Sequence, residues 1–264
     1  MGLTIAVAGK GGSGKTTATA LFARYLIEVE GKAPLIIDAD PNMNLNLLLG
    51  LPAPRGIGEL REEVLAGSLP SGMSKEEYLS YMVDSSLLEE DGFDFLAMGR
   101  PEGKGCYCFA NHIVRRTLDR LTASYEATLI DNEAGLEHIS RCTNERVDLM
   151  LLISDPSPRG VQAAGRIRAL THELKHGVGR MGLILNRVSP GGEERELLRP
   201  AVDEAGLSLL GTIPQDPLIT EFEMEGRSLL ALPPNAPSLV AAWEIMGSAL
   251  RGASVTTLGE AHGT

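Results

Sequence analysis

A glycine-rich stretch near the start of the chain, GKGGSGKTT at residues 9–17, constrains the fold more than any other feature. Residues 9–16 fit the pattern G-x-x-x-x-G-K-[ST], with an apolar, strand-like run before them and a helix-like run after them. Such a loop turns successive backbone N–H groups inward around phosphate groups, and the following helix presents its positive N-terminus to them. The stretch therefore predicts a phosphate-binding loop between a strand and a helix.

The pattern gives individual loop residues expected roles. Lys15 is expected to reach the β- and γ-phosphate oxygens, and Thr16 to supply a hydroxyl to Mg²⁺. The other residues predicted to contact the phosphates or their metal ion are Gly9, Lys10, Gly11, Gly12, Ser13, Gly14 and Thr17.

Strand-length apolar runs alternate along the chain with stretches of helical periodicity. The predicted strands are 3–8, 34–38, 93–98, 127–131, 149–154, 182–186 and 207–213. The predicted helices are 16–30, 75–83, 113–123, 136–145, 160–176, 193–205 and 238–250. This order predicts one α/β domain over residues 1–252, with a mostly parallel, twisted sheet and helices on both faces. Residues 51–74 are expected to form a surface excursion, and residues 253–264 a frayed tail.

Composition narrows the environment and the partners. Acidic residues outnumber basic ones by 35 to 24, so the net charge is −11 and binding to nucleic acid or anionic membranes is disfavoured. The opening residues lack the basic region of a secretory signal, and no apolar run approaches the ~18 residues of a membrane span. Three cysteines are too few for a disulfide framework. We expect a cytoplasmic protein with reduced thiols.

Lys10 places a second lysine at the start of the loop, and GKGGSGKT resembles the deviant Walker A box of the MinD, ParA and nitrogenase iron protein superfamily. In that superfamily this lysine crosses a dimer interface to the partner's nucleotide, so the resemblance implies an ATP-bound homodimer. A solvated loop lysine is the alternative. The resemblance also implies that Asp40 orients the attacking water, that Asp131 holds the magnesium shell, and that Gly135 lets the backbone respond to the γ-phosphate.

Two later strand ends resemble the adenine-contacting positions of the same superfamily. Asn186 and Arg187 end one predicted strand, and Pro214, Gln215 and Asp216 end the next. The resemblance implies that Asn186 reads the edge of the base and that the turn at residues 214–216 packs on its face. The sequence has no N-K-x-D box for guanine, which favours ATP.

Two thiols separated by one residue, Cys106 and Cys108, lie in a glycine-rich segment. A tight turn can direct both sulfurs to one soft metal ion. Four-coordinate Ni²⁺ or Zn²⁺ needs two more ligands, and the same cysteine pair of a second subunit would complete the coordination shell. Two buried small hydrophobes are the alternative. His112, His138 and Cys142 are fallback ligands.

Together the segments GKGGSGKTT, DADPN, GRPEGKGCYCFANH and DNEAGLEHISR resemble the CooC family of accessory ATPases, which insert nickel into carbon monoxide dehydrogenase. The resemblance implies an ATP-dependent metallochaperone whose client is that enzyme or a related nickel enzyme such as acetyl-CoA synthase. Which metal is carried stays open, because thiolate sites bind zinc, nickel and copper(I) with overlapping preference.

Two rival functions remain. An electron carrier like the nitrogenase iron protein would need a further cysteine shortly after residue 131, and none occurs at residues 133–138. A positioning ATPase would need a surface for membrane or DNA, and the amphipathic segment 243–250 lacks a basic face.

Overall fold

The computed structural model describes residues 2–67, 72–100, 108–133, 147–173, 177–252 and 256–257. Its centre is one twisted sheet with the strand order β3-β4-β2-β5-β1-β6-β7-β8, and β9 pairs with β7. The strands are β1 Leu3–Gly9, β2 Leu35–Asp38, β3 Leu88–Glu90, β4 Phe93–Ala97, β5 Ala127–Asp131, β6 Val147–Ser154, β7 Val178–Val188, β8 Leu209–Pro214 and β9 Thr256–Thr257. Strands β2, β4, β5, β1, β6, β7 and β8 run parallel, whereas β3 and β9 pair antiparallel. The predicted fold class and all seven predicted strands are confirmed.

Helices cover both faces of the sheet. In the described part of the chain they are α1 Lys15–Glu28, α2 Leu45–Leu49, α3 Ile57–Ala66, α4 Lys75–Ser85, α5 Cys108–Thr122, α6 Pro158–Glu173, α7 Glu194–Leu197, α8 Arg199–Glu204, α9 Pro217–Met224 and α10 Pro237–Leu250, with a 3₁₀ turn at Leu229–Ala231. None of these helices combines the length and the apolar character that crossing a bilayer requires.

Alternating side chains of the central strands build separate cores on the two faces. On β1, Ile5 and Val7 pack with α1 and α10, whereas Ala6 and Ala8 face α6. Farther along that second face, α3, α4 and α5 pack over β2 and β4. The central strands are buried on both sides, which explains why they appear in the sequence as nearly continuous apolar runs.

The expectation of a surface excursion at residues 51–74 is wrong for its middle part. Residues Ile57–Ala66 form α3, whose Ile57 and Val64 are buried in the core with α4. The Gly, Pro and Ser content around this helix concealed its short apolar periodicity. The helices α2 and α9 were also not predicted.

The predicted helix at 193–205 is divided into α7 and α8. Pro200 has no N–H group with which to continue the hydrogen bonding of α7, but it is well placed in the first turn of α8. The predicted helix at 136–145 lies outside the described residues. Thr256 and Thr257, within the tail expected to fray, pair with β7. The domain boundary at residue 252 stays a prediction.

Candidate nucleotide-binding site

The glycine-rich loop joins β1 to α1, as the motif predicts. Gly12 and Gly14 have φ angles of 78° and 87°, in the left-handed region that favours glycine. A side chain at Gly14 would also collide with the Asn186 amide. Within the loop, the Ser13 N–H donates to the Lys10 carbonyl at 3.2 Å. The loop conformation therefore requires glycine at these two positions.

The two lysines of the loop occupy different environments. Lys15 is only 7% exposed, and its Nζ lies 3.4 Å from the Lys10 carbonyl oxygen, so its ammonium group folds back across the loop. The side chain of Lys10 is exposed to solvent. Lys15 thus lies inside the loop, where phosphate oxygens would be bound, and Lys10 lies outside it.

Two carboxyl groups meet at the carboxyl edge of the sheet beside this loop. Asp38 ends β2 and Asp131 ends β5, and the two residues are paired in the β2–β5 register. Both are buried. Asp38 accepts backbone N–H groups of Asp40 and Leu45, each at 3.0 Å, and Asp131 Oδ1 accepts the Thr19 hydroxyl at 3.2 Å.

Burial raises the pKa of both carboxyl groups. The pKa of Asp131 rises to about 7, first because the group is removed from water and second because Asp38 is near; Thr16, Lys15 and Thr19 act in the opposite direction. The pKa of Asp38 rises to about 6, again mainly by burial. Two adjacent carboxyl groups that resist ionisation are a suitable place for a cation, which would favour their charged forms.

The donor set beside Asp131 fits a magnesium–phosphate group. Asp131 Oδ2 and Ser13 Oγ are buried and have no hydrogen-bond partner in the parts of the chain that the structure describes. The Thr16 side chain lowers the pKa of Asp131, so these two groups lie close together. Carboxylate and hydroxyl oxygens are the ligands that Mg²⁺ prefers. Thr16 and Asp131 could hold the ion directly or through water.

Asp40 lies on the loop that follows β2. Its Oδ1 accepts two hydrogen bonds from Asn42, one from the backbone N–H at 2.8 Å and one from Nδ2 at 2.9 Å. The residue lines an open cleft of about 760 Å³ together with the phosphate loop. The other residues of this cleft are Asn42, Asn44, Leu47, Leu48, Glu133, Arg187, Glu223, Gly226 and Arg227. The structure therefore brings Asp40 to the same cleft as Lys15 and Thr16.

A second pocket, of about 260 Å³, adjoins this cleft and contains all the residues predicted to contact adenine: Asn186, Arg187, Pro214, Gln215 and Asp216. Leu21, Ile213 and Ile219 supply apolar surface to it. A planar base would fit between such apolar walls, next to the phosphate cleft.

Inside this pocket, two of the predicted residues also have structural contacts. Asn186 Nδ2 donates to the Ser13 carbonyl at 2.9 Å, so the amide braces the phosphate loop. The Asp216 carboxylate caps α9 by accepting a hydrogen bond from the Leu218 N–H group. It also accepts hydrogen bonds from the backbone N–H and the hydroxyl group of Ser238. The adenine roles of both residues stay predictions. Arg187, with φ 59°, reaches the Gly12 carbonyl at 3.2 Å.

Sequence reasoning missed Glu223 and Arg227, which line the phosphate cleft from α9 and the turn after it. Glu223 also lines the second pocket and accepts the Thr17 hydroxyl at 3.4 Å. These residues follow an unpredicted helix far along the chain from the loop. No local sequence signal connects them with it.

The cysteine pair falls mostly outside the described residues. Cys106 is not among them, and Cys108 begins α5 with its side chain outside the description. His138 and Cys142 also lie outside it, as does the side chain of His112. Among the residues that are described, no group of three or more His, Cys, Asp or Glu side chains could hold a metal ion. The metal site stays a prediction.

Comparisons with known proteins define the class. Residues 4–229 match the family model of the CobQ/CobB/MinD/ParA nucleotide-binding domain. The chain therefore belongs to this family of P-loop nucleotide-binding proteins. It is similar to an uncharacterised ATP-binding protein of Methanocaldococcus jannaschii, with 41% identity over 88% of this chain and 92% of the relative. It is also similar to the carbon monoxide dehydrogenase accessory protein CooC of Rhodospirillum rubrum, with 34% identity over 88% of this chain and 91% of that protein.

Solved structures agree on the fold. The MinD cell division protein of Aquifex aeolicus superposes with a TM-score of 0.69 at 23% identity, over 97% of this chain and all of that one. At this identity the likeness shows the fold and nothing finer.

Proposed function

We propose that this protein is a Mg²⁺-dependent ATPase that acts as a metallochaperone for a nickel enzyme. The observation that carries the metallochaperone part is the Cys106/Cys108 pair in a chain 34% identical to a carbon monoxide dehydrogenase accessory protein. The phosphate cleft with its two buried carboxyl groups supports the ATPase part.

ATP hydrolysis at this cleft needs positioning and charge neutralisation more than covalent chemistry. Lys15 and the backbone N–H groups of the loop bind the phosphates, and Thr16 and Asp131 hold Mg²⁺, which neutralises phosphate charge. Asp40 faces the same cleft and has acceptor capacity beyond its two bonds from Asn42. It orients the attacking water. The adjoining pocket holds adenine, with Arg187 at the junction between the two.

Hydrolysis is tested by phosphate release from ATP. Asp40→Ala removes the carboxylate without touching the phosphate loop, so kcat should fall by about 10²-fold or more while ATP still binds. Lys15→Ala should weaken binding itself. Wild-type protein without ATP-dependent phosphate release would refute the ATPase assignment.

The working form proposed is an ATP-bound homodimer in which the exposed Lys10 reaches the partner's phosphates. Light scattering with ATP should show a dimer for the wild type and a monomer for Lys10→Ala. Lys32, another lysine outside the cleft, supplies the matched control. A Lys10→Ala dimer as stable as the wild type would count against this role.

The cargo proposed is one Ni²⁺ or Zn²⁺ ion bound by Cys106 and Cys108 of both subunits. Metal content after equilibrium dialysis should be one ion per dimer in the wild type and close to none in Cys106→Ser. Cys142→Ser is the control and should keep the metal. Equal binding in wild type and Cys106→Ser would sink the proposal. Carbon monoxide dehydrogenase, or acetyl-CoA synthase, is the proposed client.

A positioning ATPase is a second candidate, because the family model that matches residues 4–229 includes MinD and ParA. One observation weighs against membrane use of the closing helix: on α10, Leu239, Ala242, Ile245 and Met246 are buried in the main core. Cosedimentation with anionic liposomes or DNA that depends on ATP would favour this candidate.

A further inference from the structure

A chain of hydrogen bonds leads from Asp40 to an arginine on another part of the structure. Asn42 donates two hydrogen bonds to Asp40 Oδ1, and the Oδ1 atom of Asn42 accepts a third from Arg100 Nη2 at 3.1 Å. The amide thus has an anion on its donor side and a cation on its acceptor side, which fixes its orientation. Such a chain polarises each of its bonds in the same direction.

The backbone next to these hydrogen-bonded residues is closely packed. Gly99, next to Arg100, lies so near Gly56 that a Cβ atom on Gly99 would be 2.9 Å from the Gly56 Cα. The Met43 sulfur closes the same spot, 3.4 Å from that position, and Met43 itself has a φ of 50°, unusual for a residue with a side chain. The Asp40–Asn42 loop therefore rests against the segment that follows β4.

This segment is in turn connected to the sheet edge. The Met98 N–H donates to the Asp38 carbonyl at 2.8 Å, and the Met98 carbonyl accepts Gly58 N–H at 2.9 Å. Arg100 is then the last described residue before residues 101–107, which contain Cys106. One short stretch of chain thus contacts the Asp40 loop and leads directly into the thiol-bearing segment.

We propose that Arg100 is a positioning residue for hydrolysis: acting through Asn42, it holds the Asp40 carboxylate in its orientation toward the cleft. This inference rests on the proposed hydrolytic role of Asp40. Arg100 does not line the phosphate cleft, so it acts on the reaction only through its neighbour.

The test compares steady-state ATP hydrolysis with equilibrium ATP binding. Arg100→Ala should lower kcat by about three- to tenfold, the effect of one solvent-exposed hydrogen bond, while the Kd for ATP stays within about twofold. Arg100→Lys keeps a positively charged donor group and should recover part of the loss. Arg199→Ala, at an exposed arginine that pairs with Glu196, is the matched control and should behave as wild type.

A double-mutant cycle separates action through Asn42 from any other effect. If Arg100 acts through Asn42, the kcat of Asn42→Ala and that of the double variant should agree within about twofold. Losses that multiply, or an unchanged kcat in Arg100→Ala, would overturn the inference while the ATPase proposal stands. Wild-type hydrolysis by Asp40→Ala would instead overturn the proposed function on which the inference rests.

Discussion

Asp131 is a carboxyl group that folding removes almost completely from water, at 1% exposure. Its pKa rises from 3.8 to about 7. A raised carboxyl pKa means that the folded state holds the proton more tightly than the unfolded chain. Its contribution to stability is therefore full below pH 3.8 and is lost as the pH rises to about 7. At neutral pH the metal-free folded protein is therefore destabilised by the ionisation of the buried Asp131 carboxyl group.

We expect Asp131→Asn to remove much of this pH dependence. Between pH 5 and pH 8, the wild-type free energy of unfolding should fall by about 2 kcal/mol more than that of the variant. Urea unfolding with EDTA and without nucleotide measures it. Parallel pH profiles for the two proteins would show that Asp131 ionises freely in the folded state.

Asn186 and Asp216 show that the position of a residue in the sequence does not define all the contacts of its side chain. The resemblance to the superfamily implies adenine contacts for both residues, and both line the pocket. The Asn186 amide nevertheless binds the phosphate loop across 173 residues of sequence, and Asp216 caps α9 and binds Ser238. The cap of α9 is local, but only folding brings Asn186 to the phosphate loop and Asp216 to Ser238.

Helix α3 is the element for which sequence and structure differ most. Ile57, at 2% exposure, lies in the same buried cluster as Ile37 and Val83, on the face of the sheet that α3, α4 and α5 cover. The helix shares a buried cluster with α4, and Gly56, immediately before it, lies against Gly99 and the Met43 sulfur. The local sequence around it is typical of a surface loop, but the segment forms a helix because its apolar side chains are buried in the core.

Ile57→Ala should lower the free energy of unfolding by about 2–5 kcal/mol, the range for emptying a buried aliphatic site. Glu59→Ala, an exposed position on the same helix, is the matched control and should change it by less than about 0.5 kcal/mol. Chemical denaturation measures both. Equal, small effects would mean that α3 does not belong to the core.

At the scale of the whole molecule, the cleft is assembled from segments distant in sequence: the loop after β1, the ends of β2 and β5, and the turn after α9. A ligand that binds such a cleft binds the folded chain and not the unfolded one. It must therefore stabilise the entire domain.

Mg²⁺ with ATP at about 100 times its Kd should raise the free energy of unfolding by about 2.7 kcal/mol. Lys15→Ala, which removes a buried cation from the loop, should show little of this gain at the same concentration. The thermal midpoint with and without nucleotide gives the comparison. No nucleotide-dependent shift in the wild type would contradict the assignment of this cleft.

The sequence by itself determined the seven parallel strands, the phosphate loop and the α/β fold class, because apolar runs, helical periodicity and glycine-dependent turns are local properties of the chain. Tertiary structure alone decided the strand order, the pairing of Asp38 with Asp131, the burial of α3 and the contact of Arg100 with Asn42. Each of these joins residues separated by tens of positions. Their energy depends on which surfaces meet, and a linear pattern does not specify that.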